Sequence, residues 1–334
     1  MRKFRVARAL LLALLIAFVG AGVVAWQWYR TPLPLPQSPF DFEVKAGSTL
    51  TAVAHELHAA GAVPQPLALI ALARATRVDR SIKAGSYEIE QGIRLPELLA
   101  KLTQGDVTQT MLTIIEGTTF AELRDAMRHN GEVRATVLDL PDADLLTKLG
   151  ASEPALEGIF FPDTYFFAAG SNDTSLLRRA YRMQRERLAR AWDRRAPDLP
   201  FASAYEALIL ASIVEKETGR PSDRPLVASV LVNRLRRGMR LQSDPTVIYG
   251  MGVKFDGNLR KRDLDADTPY NTYTRDGLPP TPIAFPSQAS LDAVVNPPAT
   301  DYLYFVSRGD GTSEFSTNLA DHNRAVSKYP RGAR

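Results

Sequence analysis

Carboxylates in unusual settings are the residues of this sequence best suited to chemistry. The segment SAYEALILASIVEKETGRPSDRP (203–225) reads as a helix whose middle, Ala207–Val214, is nearly all apolar, so it is buried on most sides. Glu215 sits one turn before its end. At about 100° per residue, Leu208, Ala211 and Ser212 flank Glu215, whereas Glu206, Leu210 and Ile213 share the side of Glu217. Glu215 therefore projects beside two small residues that leave room for a ligand, and Glu217 points roughly opposite. A carboxyl at the end of a buried helix, next to open space, has the setting of a general acid. The same spacing is equally compatible with an ion pair to Arg220, Arg224 or Arg234.

Other chemistries lack their residues. The histidines lie at 55, 58, 129 and 322, and no third ligand accompanies the i, i+3 pair His55 and His58, so no metal site is expected. Absence of cysteine excludes thiol nucleophiles, disulfides and Cys-ligated zinc. There is no G-x-S-x-G, no phosphate-cradling glycine loop and no H-E-x-x-H, and no cofactor is expected. The Tyr-, Asn- and Pro-rich stretch LDADTPYNTYTRDGLPPTPI (264–283) reads as a long loop, of the kind that lines binding sites. With the segment before it, it offers Gln242, Asp244, Thr246, Tyr249, Asn271 and Tyr273 as hydroxyl, amide and ring surfaces suited to a carbohydrate.

The elements that must position these groups indicate an α+β fold. Residues 41–105 read strand, helix, helix, strand, helix: Phe42–Val44, Ser48–Thr49 capping a helix to about Ala60, Gln65–Thr76, Ser86–Ile89 and Leu95–Leu102. VKAGSTLTAVAHELHAAG (44–61) aligns without gaps on IIEGTTFAELRDAMRHNG (114–131), matching Gly47 with Gly117, Thr49 with Thr119, Leu50 with Phe120, Val53 with Leu123 and Leu57 with Met127. One strand–turn–helix unit is used twice. Residues 132–200 read as mostly helical, and RRAYRMQRERLARAWDRR (178–195) as a solvated helix face. A second amphipathic helix within 227–252 is stopped by Gly238, and Tyr302–Val306 reads as a buried strand before a terminal helix.

Charge locates the chain. Residues 1–30 hold five of the 41 bases and none of the 37 acids, which leaves 36 against 37 in the rest, a net −1. A nucleic-acid footprint needs a basic folded domain, so no nucleic-acid partner is expected. Ala9–Trp26 is a run of 18 residues without charge, preceded by four bases and closed by Trp26, Trp28 and Tyr29. At about 1.5 Å per residue it nearly spans a bilayer core, and the positive-inside rule puts residues 1–8 in the cytoplasm. Four prolines in Arg30–Phe40 form an extended spacer.

With these residues laid out, the chain resembles the endolytic murein transglycosylases, the bitopic MltG (YceG-like) family of bacterial cell-wall enzymes. The resemblance rests on LEGIFFPDTYFF (156–167), ASIVEKETG (211–219), VNRLRRGMRLQSDPTVIYGMG (232–252), YNTYTRDGLPP (270–280), YLYFVSRGDG (302–311) and HNRAV (322–326). It implies a cytoplasmic tail (1–8), a transmembrane helix (9–29), a Pro-rich linker (30–40), a LysM-like subdomain (41–105) and a catalytic domain (106–334). The first glutamate of the family's E-K-E-T block is catalytic, which falls on Glu215. The implied reaction cleaves the β-1,4 bond between N-acetylmuramic acid and N-acetylglucosamine within peptidoglycan strands, leaves 1,6-anhydro ends and terminates nascent strands. The implied setting is the inner membrane, with the C-terminal domains in the periplasm and peptidoglycan synthases as partners. The chain departs from the family at Thr281-Pro282-Ile283, where Gly-Pro-Ile is usual, at Pro286-Ser287, where Pro-Gly is usual, and at Ser313, where the family has histidine. The alternatives are a muramidase-type hydrolase pairing Glu215 with Asp244 or Asp163, and a non-enzymatic membrane-tethered peptidoglycan-binding adaptor.

Overall fold

The computed structural model describes residues 19–20, 22, 26–27, 29–44, 47–83, 85–104, 109–168 and 171–329. The membrane-spanning run expected at 9–29 and the tail before it lie largely outside the described residues, among which no helix is long and apolar enough to cross a membrane. The chain divides into two compact units, Met1–Met111 with Phe166–Ser171, and Leu112–Tyr165 with Asn172–Arg334.

The first unit contains β1 (Phe40–Val44), α1 (Leu50–Ala59), α2 (Pro66–Ala75), β2 (Gly85–Ile89) and α3 (Leu95–Gln104). β1 and β2 pair antiparallel, Phe40 opposite Ile89 and Val44 opposite Gly85. Thr49 starts α1 by accepting a hydrogen bond from Ala52 N, and Pro66 starts α2 at a position where its missing N–H has no intrahelical partner. The faces Leu50, Val53, Leu57 and Leu69, Ile70, Ala73 meet Leu95, Leu98 and Leu102 in one core.

β3 (Gln109–Thr113) runs from the first unit into the second, which continues with α4 (Phe120–His129), β4 (Val133–Arg134) and α5 (Asp142–Leu149). A capping box fixes the start of α4: Thr119 accepts from Glu122 N while Glu122 accepts from Thr119 N. β5 (Thr164–Ala168) pairs with β3, β6 (Ser171–Asn172) pairs with β4, and the 21-residue α6 (Asp173–Asp193) follows. Next come α7 (Ala204–Glu217), α8 (Arg224–Arg236), α9 (Asp244–Met251), the short α10 (Lys261–Asp265) and α11 (Gln288–Val295). α7 is buried continuously from Ala207 to Val214, as its apolar run requires, and α11 packs against α6, α7 and α8. The hairpin β7 (Tyr304–Ser307) and β8 (Ser313–Ser316) leads to α12 (Leu319–Lys328). The strand expected to be buried at Tyr302–Val306 is instead the half-buried Tyr304–Ser307 of a two-stranded ribbon, against which α12 packs.

Candidate active site

Glu215 occupies the last turn of α7 with 6% of its side chain exposed. Its Oε2 accepts hydrogen bonds from Ser287 N at 2.9 Å, Ser287 Oγ at 2.5 Å and Ser290 Oγ at 2.7 Å. Its Oε1 faces the Arg224 guanidinium at 3.4 Å. Ser287 also caps α11, so Glu215 lies at the positive end of that helix. Of the three arginines eligible by spacing, Arg224 is thus its partner, while Arg234 turns to the carbonyls of Leu303 and Leu241.

The space beside Ala211 and Ser212 is not open, contrary to the expectation from the helical wheel. Both residues are fully buried, and Ser212 Oγ accepts a bond from Ile283 N at 2.9 Å. The small side chains admit the segment 283–287, and that segment brings Ser287 onto Glu215. Where the resemblance expects Pro-Gly, this chain therefore places an extra hydroxyl on the carboxylate. The segment is fixed at several further points. Phe285 N donates to Thr118 O and Gly117 N donates to Phe285 O, each at 2.8 Å. Phe160 packs between the rings of Phe120 and Phe285. Gly158 (φ 79°) approaches Pro282 so closely that a Cβ there would lie 2.3 Å from Pro282 Cβ.

The turn at Gly117 covers the stem of Glu215. A Cβ at Gly117 would sit 3.7 Å from Glu215 Cγ, and Lys216 Nζ donates to Gly117 O at 3.0 Å. The chain entering this turn, Thr113–Glu116, and Pro162–Thr164 line a cavity of about 360 Å³. Asp163 and Glu116 supply its carboxylates, and Ile115 is exposed at its edge.

The six residues expected to contact substrate separate into two groups. Gln242, Asp244, Thr246, Asn271 and Tyr273 belong to one network. Gln242 N and Ser243 N donate to Thr272 O and Oγ1, Thr246 Oγ1 lies 2.8 Å from Thr272 Oγ1, and Tyr273 OH donates to Asp244 Oδ1 at 2.5 Å. Ser243 Oγ donates to Glu217 at 2.5 Å, joining this network to α7 two residues beyond Glu215. Thr246 and Asn271 are fully buried, and the Asn271 amide serves the carbonyls of Leu264 and Ala266, so these two hold the loop together. Gln242 is exposed in a left-handed conformation (φ 51°), with its side chain accepting from Arg234. Such a backbone is uncommon outside glycine and clusters at functional sites. Tyr249 belongs elsewhere, donating to Glu157 Oε2 at 3.0 Å and packing on Tyr270.

Glu157 has a chemically distinctive setting that sequence reasoning passed over. It is 7% exposed, and its Oε1 accepts from Phe120 N at 2.9 Å. Burial pushes its carboxyl up to about 7, against smaller opposing effects from the Phe120 and Tyr249 hydrogen bonds. A lone acid inside the apolar run Leu156–Phe161 was the available signal. Buried Asp173 is different in kind: its oxygens accept the N–H groups of Thr136, Val137 and Leu138, the pattern of a structural carboxylate. Glu215 is held mainly by hydroxyls and by an arginine whose Nε is buried without a partner. The hydroxyl and guanidinium contacts can exchange for a substrate's, leaving the single backbone bond from Ser287 N.

The histidines do not converge. His58 Nδ1 pairs with Val63 O, His129 Nδ1 with Asp125 O, and His322 stacks on Tyr304. Among the described residues no group of three or more His, Asp or Glu could hold a metal. Ser313, at the position of the family's histidine, donates its backbone N–H to buried Asp223.

The chain as a whole has known relatives. The model of the YceG-like family matches residues 42–328, and the chain belongs to that family. It is 33% identical over 266 residues to a protein of Bacillus subtilis (strain 168) named endolytic murein transglycosylase, covering 74% of this chain and 73% of that one. A protein of the same name from Streptococcus pneumoniae is 27% identical over 86% of this chain, which spans just over half (57%) of that relative's length. The crystal structure of a YceG-like protein from Listeria monocytogenes superposes with a TM-score of 0.53 at 26% identity, covering 86% of this chain and 100% of that one.

Proposed function

We propose that this protein is an endolytic lytic transglycosylase of peptidoglycan, cleaving the β-1,4 bond between N-acetylmuramic acid and N-acetylglucosamine inside glycan strands, with Glu215 as its acid and base. Protonated Glu215 donates to the glycosidic oxygen as the C1–O bond breaks, releasing the N-acetylglucosamine side as an alcohol. The resulting carboxylate takes the proton of the muramyl 6-hydroxyl while O6 bonds to C1. The 1,6-anhydro ring closes, Glu215 regains its proton, and no water is consumed. An intramolecular nucleophile gains from proximity and removes the need for a second carboxylate.

The observation carrying this reading is the setting of Glu215, a single nearly buried carboxylate whose donors, Ser287, Ser290 and Arg224, suit the ionised form that receives the hydroxyl proton. The relatives' shared name supports the substrate. A muramidase would instead pair Glu215 with Asp163, in the cavity beside Gly117, or with Asp244, bound to Tyr273. Mass spectrometry of digested sacculi decides between them: the transglycosylase leaves anhydro ends, and reducing ends alone would refute it. Glu215→Gln protein that still releases fragments would remove the assignment of Glu215.

The same proposal includes a single-pass inner-membrane anchor at 9–29, a linker at 30–40, a periplasmic LysM-like subdomain at 41–105 and a catalytic domain at 106–334. It also includes nascent-strand termination beside peptidoglycan synthases. Protease protection in spheroplasts tests the topology, and a pull-down of synthases tests the partnership. Sacculus binding without release of fragments would favour the adaptor reading instead.

A further inference from the structure

The basic run 178–195 contains a site that the proposed reaction does not use. Arg187 and Arg190 of α6 and its C-cap residue Arg194, spaced three and four apart, follow one another along one side of the helix end. With Gln288 and Asp292 of α11 they line a groove of about 600 Å³. Gln288 directly follows Ser287, so the groove begins one residue from the donors that hold Glu215. Arg190 pairs with Glu186 at 3.4 Å and Arg194 with Asp292 at 3.7 Å. Arg187 has no acidic partner among the described residues and lies over the Phe161 ring at 5.3 Å.

Two of the groove's lining side chains carry buried polar atoms without partners, Arg187 Nε and Gln288 Oε1. A buried donor or acceptor left without a partner is destabilising, and a ligand that supplies the partner recovers that loss. The pair comprises a guanidinium donor, which suits a carboxylate, and an amide acceptor, which suits an N–H. A peptide carboxylate with its neighbouring amide supplies both. We propose that this groove binds a carboxylate and adjacent amide of the peptide carried by the glycan strand, so that the enzyme reads the peptide beside the bond it cuts. The inference rests on the reading of the substrate as peptidoglycan.

The test uses the full-length Glu215→Gln protein, which binds without turnover, and three soluble glycan preparations. One carries its peptides, one has its carboxylates amidated, and one is stripped of peptide by an amidase, leaving only lactyl carboxylates. Binding to the first should be about tenfold tighter than to the others, the effect of one charge-assisted contact. Arg187→Gln should erase that preference, and Arg187→Lys should restore part of it. Binding indifferent to amidation, or an Arg187→Gln loss equal on all three preparations, would overturn the proposal. Stripped strands binding as tightly as peptide-bearing ones would assign the carboxylate to the lactyl group and overturn the peptide assignment. Gln288→Met removes the orphaned acceptor at the groove, so the free protein should keep its melting temperature while the preference declines. A lower melting temperature with the preference intact would mark a structural role and overturn the site. The anhydro-product assay of wild-type protein on stripped strands reads the reaction separately. Its failure removes the proposed function and leaves the binding comparison interpretable.

Discussion

The strand–turn–helix unit occurs twice, at 44–61 and 114–131, and the two copies agree locally while differing in what surrounds them. Their turn glycines have φ of 80° and 75°, their capping threonines φ of −86° and −90°, and the matched helix residues are buried in both. Nothing lies within 4 Å of a Cβ placed at Gly47, whereas one at Gly117 would touch Glu215 and Lys216. Leu50 starts an ordinary helix, but the N–H of Phe120 is received by a buried carboxylate. The same local code thus builds a spacer-like element once and the wall of a candidate active site once.

The largest effect expected at the second copy is catalytic. Glu215→Gln should lower the release of anhydro ends by about 10²–10⁴-fold, the usual contribution of general acid–base groups. Equal substitutions in 44–61 should leave turnover on soluble strands unchanged, and a comparable loss there would break the contrast.

The pH response should also separate the copies. With its carboxyl raised to about 7, Glu157 remains protonated in the folded protein over a range where the unfolded chain has already released that proton. Its contribution to stability is therefore full below about 4.5, declines as pH rises, and is gone above about 7. The difference is on the order of 3 kcal/mol. Glu157→Gln should flatten the melting temperature across that window, and hydrogen exchange should show the change at α4 and not at α1. A slope unaltered by Glu157→Gln would assign the titration to another group.

Substituting the glycines should then give equal stability costs with unequal functional ones. Gly47→Ala and Gly117→Ala each impose a left-handed alanine, at about 1–2 kcal/mol in denaturant titration. Only the second should disturb Glu215 and slow product formation. The smallest contrast is in the caps. Thr119→Ala, which dismantles a capping box, should cost about 1–2 kcal/mol, and Thr49→Ala about 0.5–1 kcal/mol. Equal losses would mean that Glu122 adds nothing.

Much of the scaffold was legible because its signals are local. The threonine caps, the apolar spacings of Leu50, Val53 and Leu57, and the continuous apolar run of α7 depend on residues within a turn or two. Glu215 stood out because a charged residue at the end of a buried helix is visible in a periodicity. Its surroundings were not legible. The same helical wheel allowed open space or an ion pair; the structure keeps the pair, with Arg224, and fills the space with 283–287, pinned by Ser212 and closed by Ser287. Asn271 and Tyr249 looked alike as loop polar residues, yet one ties its own loop and the other meets Glu157 from 92 positions away.

By itself, then, the sequence determined the helices, their capped starts, the repeated unit, the location of the basic surplus around an apolar run, and the carboxylate most worth testing. These follow from backbone propensity and periodicity, which act over a few residues. Only the tertiary structure decided that Ser287, Ser290 and Arg224 would meet on Glu215, that Gly117 would lie against its stem, and that Glu157 would be sealed beneath Phe120 and Tyr249. Desolvation and hydrogen-bond partnership depend on which distant segments pack together, and no pattern along the chain records that choice.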